Sequence, residues 1–489
     1  METKPPLYEQ FAHELEERIL AGTFPEGGRV PALRESAAQR GLSLSTVLQA
    51  YRLLETRGVI EARPQSGYYV KYRKRRVGLA PDPKPTSRED PTKVSIDDIT
   101  LRLFRDKHDP DFAQFGAATP DPELLPSARL NRLLAELARN GRFSMDTSTL
   151  PEGCEELRVQ VAQRAFRYGC EVGPDDIVIT SGCSEAMSLC LQAVCVPGDT
   201  VAIESPTYFG ILLILESLHL KALEIPANPG TGMSLDALEF ALENHPVKAV
   251  VAVTNFNNPL GSRMPDEAKA DLVSMLTRRN VPLIENDIYG ELYFSERRPS
   301  VAKSCDAEGY VLLCSSFSKD ISPGYRTGWV APGRYRDRVR KLKMAYSNGT
   351  SVLPQLTIAR YLESGGYDLH LRKIRKAYAQ KSLGMTRAIE EYFPEGTRIA
   401  EPLGGYVIWV RLPGELDSMQ LYREAVKSRI TIAPGCMFSP SGKFRDFVRL
   451  NAAAWSERTE KDLARLGHLV SDLSSSRGPA VRGDRAPQS

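Results

Sequence analysis

Lys319 is the strongest candidate for covalent chemistry in this sequence. The apolar run Val311–Cys314 predicts a buried strand that breaks into Ser-Phe-Ser-Lys, and a Pro-Gly turn and Arg326 follow. Apolar surroundings disfavour the charged form of a lysine and lower its pKa, so the amine becomes a usable nucleophile. Schiff-base chemistry with a carbonyl cofactor needs such an amine. Taken alone, the motif fits an ordinary surface lysine after a strand better than a catalytic one.

Polar residues also follow four other predicted strands, at or close to the carboxyl end of each. Open parallel sheets bind ligands at that edge, so these side chains are expected to converge. Each motif alone has an ordinary alternative: a helix-capping turn, a core tyrosine, or an Asn-Pro turn. The residues concerned are the Ser181-Gly182-Cys183-Ser184 turn, which offers helix N–H groups to a phosphate, Tyr208, Asn258, and the group Asn286, Asp287 and Tyr289.

From about residue 110 apolar runs alternate with helical patterns, which predicts an α/β fold with a mostly parallel sheet. After about residue 335, long helical patterns and a later β part predict a smaller α+β subdomain. No internal repeat is visible. The predicted strands are Ile177–Thr180, Val201–Glu204, Ala249–Val253, Leu283–Glu285 and Val311–Cys314, with helices at 184–195, 234–243 and 265–279, and the later β segments are Tyr406–Leu412 and Phe447–Leu450.

The first 72 residues follow a different pattern. Leu7, Phe11, Leu15 and Ile19 repeat every four residues, which predicts an amphipathic helix. A short helix, a turn and a third helix follow, with Ser43 or Ser45 as its cap and Val47, Ala50, Tyr51 and Leu54 on its buried face. Two short β-like runs, Val59–Arg63 and Tyr68–Tyr72, complete the layout of a winged helix-turn-helix.

This N-terminal unit resembles the winged helix of GntR-type bacterial regulators. The resemblance lies in Val30-Pro-Ala-Leu-Arg34, Ser43-Leu-Ser-Thr46 and Ser66-Gly-Tyr-Tyr-Val70, in one register over about sixty residues. A small helical bundle that does not bind DNA is the alternative. The resemblance implies a double-stranded DNA operator as partner, with the third helix in the major groove. The candidate DNA-binding residues are Arg34, Ser45, Thr46, Gln49, Arg52, Arg63 and Gly67.

Composition places the chain among soluble, cytoplasmic, globular proteins of two or more domains. It has 489 residues, a net charge of +3, and no apolar run long enough to span a membrane. The first ten residues lack a signal-peptide core. The eight cysteines show no metal-ligand spacing, so we expect reduced core residues and no metal site.

The region from about residue 110 onward resembles the fold type I pyridoxal-phosphate (PLP) aminotransferases. Its motif order Ser-Gly…Tyr…Asn-Pro-x-Gly…Asn-Asp-x-Tyr…Ser-x-x-Lys…Arg is kept over some 350 residues. The resemblance implies PLP as cofactor, bound covalently by Lys319. It implies that Arg449 grips the α-carboxylate of a ligand in a bidentate fork. It also implies cofactor contacts from Cys183, Ser184, Tyr208, Asn258, Tyr289, Ser316 and Arg326.

One position departs from that family. Three residues before Tyr289 the family carries an aspartate that pairs with the protonated pyridine nitrogen, and here that residue is Asn286. An amide supplies no negative charge, so we expect ligand exchange at Lys319 but poor transamination. Asp287 stands next to it, and a shift of one residue would let Asp287 take the role. The sequence leaves this choice open.

A GntR-type winged helix joined to an aminotransferase-like domain is the layout of the MocR family of bacterial regulators. The resemblance implies a dimeric, PLP-dependent transcription regulator that senses a small amino compound or PLP. An active aminotransferase with a secondary DNA-binding domain is the alternative, and weak or absent enzyme activity is expected. The expected boundaries are 5–72 for the winged helix, 73–109 for a linker, 110–474 for the aminotransferase-like domain and 475–489 for a disordered tail.

Overall fold

The fold is described from a computed structural model of the 489-residue chain. The structure describes residues 6–20, 23–25, 27–56, 59–63, 66–71, 90–94, 105, 109–139 and 150–475. Most of the predicted linker, and the predicted tail after residue 475, lie outside these residues.

The N-terminal unit is a winged helix with its own small core. Its helices are α1 (Leu7–Leu20), α2 (Leu33–Arg40) and α3 (Leu44–Thr56), and a hairpin of β1 (Ile60–Arg63) and β2 (Gly67–Val70) follows. Ser43 caps α3, since its Oγ accepts the N–H of Thr46 at 3.1 Å. The predicted inner face of α3 is fully buried, which confirms the periodicity argument.

The main sheet runs in the order β3-β7-β6-β9-β10-β11-β12-β5, with β8 paired to β7. The strands from β7 to β11 are parallel to one another, whereas β12 pairs antiparallel with both β11 and β5. The fold is therefore α/β with a mixed sheet. The strands are β3 (Thr92–Lys93), β5 (Val178–Thr180), β6 (Thr200–Ser205), β7 (Lys221–Asn228), β8 (Gly232–Met233), β9 (Val247–Ala252), β10 (Leu283–Asn286), β11 (Val311–Ser316) and β12 (Gly328–Ala331).

The linker prediction needs one correction. Thr92–Lys93 lie within the range predicted as linker, yet they form β3 and pair with Lys221 and Ala222 at the edge of the main sheet. The apolar side chain of Val94 is buried beside them, and that burial explains the attachment.

Helices cover both faces of the main sheet. Ile284 and Leu312 pack against α6 on one face, whereas their neighbours Leu283 and Val311 pack toward α9 on the other. This alternation decides which side chains at the strand ends reach a common site. The helices up to residue 363 are α4 (Ser127–Arg139), α5 (Glu155–Phe166), α6 (Cys183–Val194), α7 (Phe209–Ser217), α8 (Leu235–Asn244), α9 (Asp266–Arg278), α10 (Arg336–Ser347) and α11 (Val352–Glu363).

A smaller α+β subdomain follows, as predicted. Its antiparallel sheet has the order β13-β14-β17-β16, and β15 pairs with β4 (Ala113–Gln114), which precedes the main sheet's parallel strands in the chain. The elements are the 27-residue α12 (Gly366–Tyr392), β13 (Arg398–Ile399), β14 (Val407–Arg411), α13 (Ser418–Lys427), β15 (Ile430–Thr431), β16 (Ala433–Pro434), β17 (Phe447–Asn451) and α14 (Glu457–Ser475).

Cysteine placement, metal-binding groups and membrane-spanning helices can be compared with the expectations from composition. All eight cysteines are free and six are buried, but Cys305 is exposed and Cys436 half-buried, so the expectation of core positions is wrong for these two. The described residues contain no group of three or more His, Cys, Asp or Glu side chains placed to hold a metal ion. None of the described helices is long and apolar enough to cross a membrane.

Candidate functional site

Lys319 lies in the turn after β11, at the carboxyl edge of the parallel strands. Its Nζ donates a hydrogen bond to the carbonyl oxygen of Ala118, 2.7 Å away, and stands 5.5 Å from the centre of the Tyr289 ring. Ser316, the last residue of β11, is buried, and its Oγ accepts the N–H of Ser318 at 3.4 Å. The strand end therefore holds the lysine amine half-buried beside an aromatic ring.

The N-terminus of α6 forms the part of the site that suits an anion. Gly182 precedes the helix with φ +91°, and a Cβ there would lie 2.7 Å from the guanidinium of Arg326, so only glycine fits without displacing it. Arg326 donates to the carbonyl of Ser181 at 3.2 Å. The N–H groups of Cys183 and Ser184 open the helix and carry the positive end of its dipole. The guanidinium and these N–H groups suit a phosphate.

Two tyrosines bring hydroxyl groups into the same region. Burial raises the pKa of Tyr208, and the nearby guanidiniums of Arg449 and Arg326 oppose that shift. The Tyr289 ring packs edge-on against Tyr406, with ring centres 5.4 Å apart, and burial raises the Tyr289 pKa. The buried Tyr289 hydroxyl lies near the side chains of Asn258 and Tyr406 but forms no well-aligned hydrogen bond with the described residues. It is therefore available to a bound group.

Arg449 projects from the middle of β17 into this region and is 0% exposed. Its guanidinium donates to the carbonyl oxygen of Gly116 and, over 3.3 Å, to Oδ1 of Asn258. Its Nε has no partner, and no carboxylate among the described residues forms an ion pair with it. Burial lowers the pKa of Arg449. A buried cation without an anion is costly, and an anionic ligand group at this position would offset that cost.

The structure separates Asn286 from Asp287. Asn286 ends β10 on the face that packs against α6, and its Oδ1 lies 3.4 Å from Sγ of Cys183. Asp287 belongs to the opposite face, where it forms an ion pair with Arg298 and accepts from Nδ2 of Asn255 at 2.9 Å. Of the two candidates, the structure brings Asn286 to the face shared with Cys183 and leaves Asp287 committed elsewhere.

The candidate DNA-binding residues lie on the surface of the winged helix. Ser45, Gln49 and Arg52 are exposed along α3, and Thr46 is half-buried at its first turn. The hydroxyls of Ser45 and Thr46 both lie 2.8 Å from Oγ of Ser43, so the cap also orients them. Arg34, on α2, is exposed as well.

Two further candidates belong to the hairpin. Arg63 is exposed, pairs with Glu61 at 3.0 Å and stacks on the Tyr69 ring, 4.4 Å from its centre. Gly67 has φ +110°, and a Cβ there would lie 3.2 Å from Nε of Arg29. Arg29 is exposed beside the hairpin and was missed by the sequence analysis, although its basic side chain next to Val30-Pro31 was a usable signal.

The segment Gly116–Ala118 also contributes to the site, although no motif in the sequence pointed to it. Its two carbonyl oxygens accept hydrogen bonds from Arg449 and Lys319, about 330 and 200 residues away in the chain. Backbone carbonyls carry no side-chain signal, so only the folded chain shows this contribution. The sequence analysis assigned a role only to the backbone N–H of Cys183. The contact of its thiol with Asn286 was therefore not predicted.

Comparison with protein families agrees with this division of the chain. Residues 125–465 match the family model "Aminotransferase class I and II", and residues 7–70 match "Bacterial regulatory proteins, gntR family". The first match covers more than half of the chain, and the second coincides with the described winged helix.

Individual relatives repeat both parts. The chain is 41% identical over 466 residues to the uncharacterized HTH-type transcriptional regulator YdcR of Escherichia coli (strain K12), covering 95% of this chain and 99% of that protein. It is 40% identical to YjiR of the same organism, described in the same words, with 95% and 98% covered. Among solved structures, the α-aminoadipate aminotransferase LysN of Thermus thermophilus, complexed with N-(5'-phosphopyridoxyl)-L-leucine, aligns with a TM-score of 0.72 and 26% identity over 78% of this chain and 97% of that one.

Proposed function

Since the chain belongs to the aminotransferase class I and II family and joins that domain to a GntR-family domain in the manner of MocR-type regulators, we propose that it is a PLP-dependent, DNA-binding transcription regulator. Its aminotransferase-like domain senses a small amino compound or PLP. Catalysis alone does not require a DNA-binding domain. Relatives of matching length are described as HTH-type transcriptional regulators. Both observations favour a regulator over a metabolic enzyme.

The residues present fit PLP. The Tyr289 hydroxyl, which lies beside Asn258, and the Arg326 guanidinium, which packs against Gly182, are polar groups of the chemistry that PLP requires. Lys319 would hold the cofactor covalently, and PLP supplies a carbonyl carbon for amines and an electron-withdrawing ring. The other residues proposed to hold it are Cys183 and Ser184 through their N–H groups, Ser316 and Arg326 at the phosphate, Tyr208 against the ring, and Asn258, Tyr289 and Asn286 at its polar atoms.

The observation that carries the choice of effector is the buried guanidinium of Arg449. It has no anion among the described residues, and Asn258 holds one of its nitrogens in place. A ligand carboxylate would form the missing ion pair, and its amine would compete for the position of Lys319. We therefore propose an amino acid or a similar amino carboxylate as the effector.

The test uses purified protein with PLP and a labelled fragment of its own upstream DNA. DNA affinity is measured by fluorescence anisotropy while standard amino acids and ω-amino carboxylic acids are added singly. The Arg449→Lys variant keeps the charge but loses the planar fork, so the concentration of the active compound should rise about 10- to 100-fold, as charge-assisted hydrogen bonds of about 1.5–3 kcal/mol predict.

Arg411→Lys is the matched control. Arg411 lies on the neighbouring strand β14 and pairs with Asp446 at 2.7 Å, outside the site. The Arg411→Lys variant should respond to the active compound at the same concentration as the wild type. If no amino compound alters DNA affinity, or if Arg449→Lys responds at unchanged concentrations, the proposed effector class is wrong.

An active aminotransferase remains the second candidate, because the matched structures are aminotransferases and Lys319 and Arg449 stand together in the same fold. Single-turnover absorbance measurements with amino acids separate the two. Stoichiometric, rapid conversion of the bound cofactor to its amine form would favour the enzyme.

The remaining proposals concern assembly and place of action. We propose that the protein forms a homodimer, acts in the cytoplasm, and contacts its operator through Arg34, Ser45, Thr46, Gln49, Arg52, Arg63 and Gly67. The proposed limits are residues 5–72 for the DNA-binding domain and 110–474 for the effector domain, with β3 as an additional anchor before the latter.

A further inference from the structure

The orientation of the Asn286 side-chain amide is fixed by two donors. The backbone N–H of Ile288 points at its Oδ1 over 3.2 Å, and Sγ of Cys183 lies 3.4 Å from the same atom. A backbone N–H faces only an acceptor, so the atom at this position is the amide oxygen and not the nitrogen. The orientation therefore follows from hydrogen-bond chemistry.

Cys183 acts as a donor in this arrangement. Its thiol is buried at the first turn of α6, and burial raises its pKa well above the usual value, so it stays protonated. Because both donors point at the oxygen, the two N–H bonds of Nδ2 point away from Cys183 and from the Ile288 N–H.

Asp287 does not take the place of Asn286. Asp287 is held on the opposite face of the sheet by the guanidinium of Arg298 and the amide of Asn255. Its charge is thereby largely compensated, and turning it toward α6 would break both contacts. The face that carries Cys183 and Asn286 thus presents an amide N–H where an acid would present a negative charge.

We propose that Asn286 donates its Nδ2–H to the pyridine nitrogen of the cofactor and keeps that nitrogen unprotonated, with Cys183 as the positioning residue that locks the amide. This inference rests on the proposed PLP site. An unprotonated ring nitrogen is a weak electron sink, so breaking the Cα–H bond of a ligand is disfavoured. Exchange of the Lys319 amine for a ligand amine needs no such sink. The locked amide thus separates ligand recognition from turnover.

The experiment is 15N NMR of the full-length protein loaded with PLP that is 15N-labelled at the ring. The wild type should show the shift of an unprotonated pyridine. Asn286→Asp should move the signal strongly upfield, to the protonated position. Cys183→Ala removes one of the two donors, lets the amide turn and should move the signal part of the way at pH 6, whereas Cys183→Ser keeps a donor and should restore the wild-type shift.

Several results would overturn the inference. A protonated ring in the wild type contradicts it directly, and an unchanged signal in Cys183→Ala removes the positioning role of Cys183. Should Asn286→Asp fail to fold in a thermal melt, Asp287→Asn carries the test, because a change of the ring signal there would assign the nitrogen to Asp287. Failure to bind labelled PLP at all would instead defeat the proposed function, and this inference with it.

Discussion

At the level of single residues, Lys319 is the proposed point of covalent attachment for the cofactor. Its amine stands beside Tyr289 and the carbonyl of Ala118, at the carboxyl edge of the parallel strands. Lys319→Ala should lose the near-visible absorbance band of the PLP-loaded protein, and borohydride should no longer fix the cofactor to the chain. Lys341→Ala, exposed on α10, is the control and should keep both signals. A band that survives unchanged in Lys319→Ala would assign the attachment to another residue.

Glu204 is a second residue with a measurable signature. Burial raises its pKa to about 8 from a usual 4.5, although Val253 N–H and the Asn257 amide donate to it at 2.8 and 2.6 Å. Between these pH values the folded chain binds a proton that the unfolded chain does not. Its contribution to stability is therefore fully present at low pH and is lost as pH rises through 8, by at most about 1.4 kcal/mol per pH unit.

Glu204→Gln should remove this dependence. Comparing thermal melts of the variant and the wild type from about pH 5 to about pH 9 isolates the single group, since the other titrating residues are shared. The stability of the wild type relative to the variant should fall as the pH rises and level off above about pH 8. Glu363→Gln, at an exposed site where the carboxylate pairs with Arg360, is the control for the loss of a surface carboxylate. Parallel curves for Glu204→Gln would show that Glu204 is ionised in the folded protein.

At the level of elements, α3 is expected to read the operator. Substituting Thr46, Gln49 and Arg52 together by alanine leaves the buried face of the helix intact, so the unit should remain folded. Loss of contacts worth about 1–3 kcal/mol each should weaken operator binding at least about 100-fold. His13→Ala on the exposed side of α1 is the control. Anisotropy titrations at fixed salt measure both, and unchanged affinity in the triple variant would remove α3 from the interface.

The elements also show what the sequence could and could not predict. Strands made of short, uninterrupted apolar runs, such as β9 and β11, were predicted to within about two residues, because burial on both faces leaves that pattern. β7 was missed, since Lys221, Glu224 and Pro226 interrupt its run. The antiparallel insertion of β12 between β11 and β5 was not predicted either, because strand order depends on contacts between distant segments.

The same distinction applies to the site. Residues at strand ends could be named from the sequence because parallel strands share one edge. The choice between Asn286 and Asp287 could not, since it depends on which face of β10 each side chain follows. The structure separates the two side chains through contacts with Cys183 on one side and Arg298 on the other, residues 103 and 11 positions away.

For the whole molecule, we expect a dimer that binds two half-sites. One winged helix reads only a few base pairs, and specific affinity usually needs two. Light scattering at micromolar concentration should give twice the chain mass of 54.2 kDa, and footprinting should protect two related sequences. Inserting about five base pairs between them places them on opposite faces of the duplex and should weaken binding more than inserting about ten. A monomer that protects a single site would contradict this prediction.

The pairing of Thr92–Lys93 with the edge of the main sheet sets a limit on operator architecture. Only the twenty residues 72–91 separate the end of the described winged-helix segment from that anchor. Fully extended, this segment lets each winged helix of the dimer reach at most about 72 Å from its own anchor, or roughly two turns of DNA. Beyond a certain distance between the half-sites, the second winged helix of the dimer cannot reach its half-site. Its effective concentration there should therefore fall to zero. Shortening this segment by about ten residues shortens it in both chains of the dimer, so the cutoff should come closer by up to about 72 Å, or roughly two helical turns, while the affinity for an isolated half-site stays unchanged.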